Sequence, residues 1–444
     1  MSIKIKDLPD HIDEQITVLG QINVLRQQKK FSFIELGYGD YQVQVVVPAK
    51  FAEGLTTQSY IQITGTVKKL PEGVYSKMPI EISASDVKII SKAKADFEQQ
   101  CPSNSSADIK LEKRHFYFRD PEFKLITILR SQLIQAMRAH FESTSCYEII
   151  PPSFTGVECE GGASLFPIVH PGKSHDKPMT AYLTQSSQFA LEMLLPSIGD
   201  CYCISPSFRA EHSHTRRHLT EFLHFEAEFA GIMKFDDHLD KLKDLLKGII
   251  SHFLLIGERS LKELKKYDRV QELLKMTDDI LILEHKDAIK ECHQRGIYKS
   301  EDDGIKIPFD ERDDIPEAQE RKLIDDIGKI VFLVKFPKEF KSFYMGLDPE
   351  DESRVLGCDV EVPGVGEIIG SGVREGDYDR LYQRLKDHGL KPEDYSEYLD
   401  LRSYGFCQTS GMGLGVDRML VWLLGMYSIR DVVTFPRFPG NLRP

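Results

Sequence analysis

Residues 208–222 read FRAEHSHTRRHLTEF. They place three arginines (Arg209, Arg216, Arg217), three histidines (His212, His214, His218) and two glutamates (Glu211, Glu221) between Phe208 and Phe222. A solvated helix face spreads its charge along one side of an apolar stripe. Here the flanks, DCYCIS at 200–205 and HFEAEFA at 224–230, read instead as interior strands. Arg209 and Glu211 are two apart on an extended chain, so both point to the same side. Charge on a buried side needs a partner. Either the two residues pair with each other, or Arg209 meets an anionic ligand and Glu211 accepts from a donor such as an amino group. Arg216, Arg217 and His218 lie in the following turn, which can fold back to the same point. The planar fork of arginine donates in parallel to two phosphate oxygens, and Phe222 offers a stacking face. A polyphosphate, an amino group and an aromatic platform together describe bound ATP. A structural ion-pair network is the other reading of the same residues.

The bulk properties leave room for either. The chain has 444 residues, 41% of them apolar, which suits a globular protein of roughly two or three domains. A net charge of −12 gives no sign of broad nucleic-acid affinity, so phosphate contacts must come from local basic patches. The eight cysteines form no CxxC pair, which argues against a zinc site or a secreted disulfide scaffold and for reduced, cytosolic thiols. MSIKIKDLPDHIDEQ lacks the apolar core of a signal peptide, and no apolar run approaches the ~20 residues of a membrane span. A cytoplasmic protein without membrane contact is predicted.

Residues 1–92 look all-β. ITVLGQINVLRQ, KFSFIELGYG, DYQVQVVVPA, YIQITGTVKKL and IEISASDVKIIS are five short runs with period-2 alternation, separated by Gly, Asp or Pro. They suit an OB-fold barrel, whose strand face binds oligonucleotides, or another small β domain such as an SH3-like one. Residues 93–113 are polar and aperiodic and read as a linker. In residues 114–444, Asp120 can cap a helix with Pro121 at its first position and Ile126, Leu129, Leu133, Met137 and Phe141 on one stripe. A second helix carries Leu239, Leu242, Leu246, Ile249 and Phe253, and RMLVWLLGMY reads as a third. KIVFLVKF, FYMGL, LGCDVEVPG and EIIGSG read as strands, while 255–306 is charged and shows no clear pattern. The layout predicts an α+β catalytic domain, an antiparallel sheet flanked by helices.

At this point the segments resemble a known family. FRAEHSHTRRHLTEF resembles motif 2 of the class II aminoacyl-tRNA synthetases, GMGLGVDRML at 411–420 resembles motif 3, and the helix ending in YEIIPPSF resembles motif 1 with Pro152 at its signature proline. An OB-like domain ahead of them is similar to the aspartate, asparagine and lysine subgroup. EGGASLF, YLTQSSQFALEML, DDIPEAQER, KSFYM, DVEVPGVGEIIGSGVRE and RDVVTFPRFPG resemble the asparaginyl branch found in the eukaryotic cytosol. The resemblance implies that Arg209 holds the α-phosphate, Glu211 receives the adenine amino group and Phe222 stacks under the adenine. It places Leu219 in the same ATP site, with Arg217 and His218 on the outer phosphates and Arg418 on the γ-phosphate and the other adenine face. Arg209 and Arg418 would be the catalytic cations. Mg2+ would bridge the phosphates, held by Asp359 and Glu367.

Aspartate and asparagine enzymes share most of this scaffold. By the resemblance, aspartate enzymes carry a lysine three residues after the QSxQ segment, and here that place is Leu191. Glu226 stands where aspartate enzymes have a shorter Asp. Its carboxylate would accept from an amide NH2 and repel a substrate carboxylate. Arg374 would donate to the amide oxygen, while Glu160, Gln185 and Gln188 complete the amino-acid site. Asparagine enzymes commonly read GGS where this chain has Gly370-Ser371-Gly372. The implied partners are L-asparagine, ATP and tRNA(Asn). Phe33 and Gln44 match positions that read anticodon bases; barrel core is the other reading for Phe33. A homodimer through motif 1 is also implied. Aspartyl-tRNA synthetase is disfavoured by Leu191 and Glu226. An amide-forming paralogue usually lacks the OB domain, and a non-catalytic RNA-binding paralogue is expected to have lost Arg209, Glu211 or Arg418.

Overall fold

The computed structural model describes residues 2–70, 78–102, 104–159, 165–171, 178–211, 215–302 and 305–442. It divides into two compact units, one ending at Ile128 and one beginning at Leu129.

The first unit is built on a closed five-stranded barrel. Its strands are β1 (Gln15–Gln27), β2 (Phe31–Tyr38), β3 (Tyr41–Pro48), β4 (Tyr60–Lys69) and β5 (Ile80–Ser91), joined in the order β1-β2-β3-β5-β4. Period-2 alternation decides which side chains enter. Ile34 and Leu36 of β2 and Val43, Val45 and Val47 of β3 face the core with Ile16, Val18 and Ile63. Phe33 and Gln44 have the other parity and lie half-buried on the outside, so Phe33 is not barrel core. Gln44 sits opposite Glu35, Phe33 opposite Val46 and Arg26, so these side chains share one outer face. After the barrel, the 93–113 stretch holds two short helical segments, Phe97–Gln100 and Ala107–Glu112, the second capped by Ser106.

The second unit is organised around an eight-stranded sheet. Its strands in chain order are β6 (Tyr147–Glu148), β7 (Cys201–Phe208), β8 (Glu221–Ala230), β9 (Leu281–Glu284), β10 (Val331–Val334), β11 (Gly357–Val362), β12 (Gly366–Val373) and β13 (Thr409–Gly415). Their spatial order is β9-β10-β11-β12-β13-β8-β7-β6. The six central strands are antiparallel, and each edge strand pairs in parallel with its neighbour. Helix α1 (Pro121–Ser143) starts where Asp120 Oδ1 accepts from the Phe123 amide at 3.0 Å, and its stripe Leu129, Leu133, Met137 and Phe141 is buried. Helix α2 (Phe235–Ile256) buries Leu239, Leu242, Leu246, Ile249 and Phe253 and lies against β12. Helices α3 (Glu317–Ile327) and α4 (Val416–Leu424) pack on β11 and β12 and on β8 and β13 respectively.

Three local expectations change. FYMGL is a turn with an isolated bridge, Met345 to Arg374, instead of a strand. Strand β7 ends at Phe208, so Arg209 and Glu211 leave the regular strand, although the Arg209 amide still donates to Thr220 O at 3.0 Å. The described part of the 255–306 stretch is structured. It supplies helices Tyr267–Met276 and His285–Gln294 and the edge strand β9, with Val270, Leu273, Ile289 and Cys292 buried.

Candidate active site

Glycines open a cleft of about 390 Å³ over β8, β12 and β13. In register, Glu226 of β8 faces Gly413 of β13, which faces Gly370 of β12; Glu228 faces Gly411, which faces Gly372. A Cβ at Gly413 would strike the His224 ring, and one at Gly411 the Glu228 carboxylate. The side chains of β8 therefore spread over a floor that has none.

One end of the cleft is cationic. Arg209, Arg217 and Arg418 line it with His218, Leu219 and Phe222. The Arg209 guanidinium lies 5.2 Å from the Phe222 ring centre, and Glu211 is on the same wall. Arg217 is buried, 3.4 Å from Glu317 of α3. Gly366 makes room for it: φ is +88°, and a Cβ there would come within 2.6 Å of Arg217 Nη1. Arg418, projected from α4, donates from Nη1 to Glu367 O at 3.0 Å. Burial, with Arg217 and Arg209 beside it, lowers the pKa of Arg418 although Glu367 opposes. Burial, reinforced by Arg418, holds His218 below the ordinary imidazole range. Arg216 points elsewhere and stacks 4.2 Å from the Tyr427 ring. Three arginines concentrated in one cleft, Arg217 buried and Arg209 and Arg418 half-buried, favour an anion with several charges.

Next to the arginines stand two acids. Asp359 and Glu367 both line the cleft, and a Cβ on Gly370 would lie 3.1 Å from Glu367 Oε1 and 3.9 Å from Asp359 Oδ1. Their oxygens thus converge on one point. Burial raises Asp359 to about 6, against the pull of Lys341, which pairs with it. Glu367 is only half-buried; partial burial pushes its pKa up, yet Arg418 and Lys341 hold it below the ordinary carboxylate range. Glu320 and Glu361 behind them are driven upward by burial, Glu320 to about 8. The charged pair near neutral pH is therefore Asp359 and Glu367. Two carboxylates completed by phosphate oxygens are a donor set that suits Mg2+.

The other end is polar and tightly hydrogen-bonded. Glu226 accepts from Ser186 Oγ at 2.5 Å and from the Ser187 amide at 3.0 Å to each oxygen. Arg374 forks onto Glu228, with Nε to Oε2 at 3.2 Å and Nη2 to Oε1, and lies 3.7 Å from Glu192. Burial works against charge on Arg374, yet Glu228 and Glu192 raise its pKa. Gln188 Nε2 donates to Glu192 at 2.8 Å, which leaves its carbonyl oxygen as the acceptor. The same glutamate accepts from Tyr398 at 2.7 Å and Arg402 at 2.9 Å. Leu191 is fully buried with Leu195, Cys201 and Cys203, so no cation stands at that position. Burial lifts the Cys203 thiol to about 12, which makes it a poor nucleophile.

Of the residues singled out in the sequence, Gln188, Glu226 and Arg374 meet the ATP-site candidates in one cleft. Gln185 is buried beside them and is not part of the lining. Glu160 lies outside the described residues. Phe33 and Gln44 belong to the barrel unit, where Gln44 Nε2 donates to Glu81 at 3.0 Å. Sequence reasoning missed Lys341, Ser186, Glu192 and Glu228. Glu228 shares the parity of Glu226, and that alternation was the available signal.

Residues 106–439 match the family model described as tRNA synthetases class II (D, K and N). The chain belongs to that family. Residues 16–90 also match the OB-fold nucleic acid binding domain, and the five-stranded barrel is that domain. Among curated class II synthetases, the chain is 35% identical to the cytoplasmic asparagine–tRNA ligase of Debaryomyces hansenii, covering 100% of itself and 79% of that protein. The fold is similar to the asparaginyl-tRNA synthetase of Entamoeba histolytica, solved with asparaginyl-adenylate, at a TM-score of 0.87 and 30% identity over 100% of both chains. It is similar to the enzyme of Pyrococcus horikoshii, also solved with asparaginyl-adenylate, at a TM-score of 0.86, 30% identity and the same coverage. No helix among the described residues is long and apolar enough to cross a membrane.

Proposed function

We propose that this class II synthetase activates L-asparagine with ATP and transfers it to the terminal adenosine of tRNA(Asn). The observation that carries the reading is the pairing of Glu226, a clasped acceptor, with Arg374, a forked donor, at the end of the cleft remote from Arg418. An asparagine amide has one donor group and one acceptor group, and it satisfies both. An aspartate carboxylate would face Glu226, and an unpaired or opposed buried group discriminates strongly.

In this reading the Asn carboxylate attacks the α-phosphorus and pyrophosphate leaves. The tRNA ribose hydroxyl then attacks the carbonyl carbon and AMP leaves. Arg209 holds the α-phosphate, Glu211 takes the adenine amino group, and Phe222 and Leu219 seat the ring. Arg217 and His218 hold the outer phosphates with Arg418. The three arginines act where charge develops on the leaving group, so catalysis is positioning plus electrostatic stabilisation. Gln188 offers its oxygen to the substrate ammonium, with Gln185 and Glu160 in support. Mg2+ fits Asp359 and Glu367, and when bound it neutralises phosphate charge. Phe33 stacks on an anticodon base and Gln44 bonds a base edge, with residues 1–92 as the anticodon domain, 93–113 as the hinge and 114–444 as the catalytic domain. Exposed Tyr147 of β6 and Ile150 just after it support a homodimer through motif 1. The named relative is cytoplasmic, and the same compartment is assigned here. Charging of tRNA(Asn) transcript with labelled asparagine tests the assignment; charging with aspartate at equal kcat/KM would overturn it.

A further inference from the structure

The sheet carries a second polar group on the side away from the cleft. His238, on α2, is 0% exposed. Its Nδ1 lies 3.0 Å from Ser410 Oγ on β13, and its Nε2 lies 3.0 Å from Ser371 Oγ on β12. Gly370 and Ser371 both line the cleft, but by strand alternation the Ser371 side chain, like that of Ser410 on the neighbouring strand, points to the sheet face opposite Gly370. Both serines are buried. Ser371 Oγ also donates to Cys358 O on β11 at 2.6 Å.

Counting donors fixes the direction of the chain. A serine hydroxyl has one hydrogen. Ser371 gives its own to Cys358, so it accepts from His238, and Nε2 must carry the proton. Nδ1 is then bare and accepts from Ser410. Burial, with Arg374 and Lys241 nearby, lowers the imidazole pKa to about 3, so the ring stays neutral at working pH. A satisfied relay of this kind crosses three adjacent strands and ties them to one helix. Leaving one member unpaired in a buried site incurs the full desolvation penalty of that group.

We infer that His238 is a positioning residue for the amino-acid end of the cleft: through Ser371 and Ser410 it fixes β12 against β13, and with them Arg374 and the glycine floor beneath Glu226 and Glu228. Arg374 directly follows β12, and its amide donates to Thr409 O at 2.9 Å, next to Ser410. The relay also accounts for Gly370-Ser371-Gly372. Serine at the middle position is committed to His238, and the hydroxyl is withdrawn from the substrate side. This inference rests on the asparagine assignment only for its kinetic readout.

The test has two arms. In the intact protein labelled with 15N-histidine, His238 is read as the neutral Nε2–H tautomer, with H238Q identifying its signal. It should not titrate near the ordinary imidazole pKa. An Nδ1–H tautomer, or a titration there, overturns the relay. In pyrophosphate exchange, H238L and S371A should each raise KM for asparagine on the order of tenfold while KM for ATP stays within about twofold. H238Q, whose amide nitrogen can still reach Ser371, should recover most of the loss. The double variant H238L/S371A should be no worse than H238L. Equal rises in both KM values, or independent multiplication of the two effects, would mean general loosening and overturn the positioning role. If the unaltered enzyme shows no asparagine-dependent exchange, the substrate assignment fails, while the tautomer arm still decides the relay.

Discussion

Glu226 accepts from Ser186 Oγ at 2.5 Å and from the Ser187 amide at 3.0 Å to each oxygen, with His224 Nδ1 3.5 Å away, so its carboxylate is aimed before any substrate arrives. Glu226→Gln removes a charged acceptor and should cut kcat/KM for asparagine on the order of a hundredfold, with KM for ATP nearly unchanged. Full asparagine activity in the variant would end the assigned role. Asp359 gives a pH prediction. Its folded pKa is raised to about 6, so it is ionised above that pH and takes up a proton as the pH falls through it. The Mg2+ concentration for half-maximal exchange should rise between about pH 7.5 and about pH 5.5, and D359N should flatten the dependence. An unaltered enzyme with a flat Mg2+ requirement contradicts the role. The residues legible in the sequence were those whose charge looked out of place, such as Arg209, Glu211 and Arg217. Ser186 was not, because a serine 40 residues from Glu226 has no local signal that it closes a carboxylate clasp.

At the scale of elements, the glycines of β12 and β13 are as much part of the cleft as the arginines. Gly413→Ala should push the His224 ring, which lies 3.5 Å from Glu226, and raise KM for asparagine on the order of tenfold. Gly366→Ala is different. The positive φ costs about 1 kcal/mol of stability, and the new methyl displaces Arg217, so KM for ATP rises instead. Substrate-specific KM measurements on the two variants separate the effects, and identical profiles would contradict the division of the cleft. The barrel strands, α1 and α2 were readable because a single periodicity ran through each. FYMGL was apolar without being extended, since Phe343, Tyr344 and Met345 are buried by a turn. The helices of 255–306 were obscured because each shows only a narrow apolar stripe, Val270 and Leu273 in one and Ala288, Ile289 and Cys292 in the other.

For the whole molecule, the proposed function assigns base reading to the barrel unit and chemistry to the sheet unit. Phe33→Ala on the outer barrel face should weaken tRNA(Asn) charging, raising KM for tRNA on the order of tenfold, and leave amino-acid activation untouched. A matching loss in exchange without tRNA would contradict that separation. The order of the domains was legible because the barrel repeats one short pattern and motifs 1 to 3 follow it in sequence. The sheet order was not, since β13 enters the middle of the sheet from near the chain end, between β12 and β8. In the proposed function, one cleft binds ATP at its arginines and recognises an amide at Glu226 and Arg374. ATP–pyrophosphate exchange with asparagine, aspartate and lysine in parallel tests it most directly. Robust exchange with asparagine and near-background exchange with the other two are expected; aspartate-dependent exchange of equal efficiency would rule out amide recognition at Glu226 and Arg374.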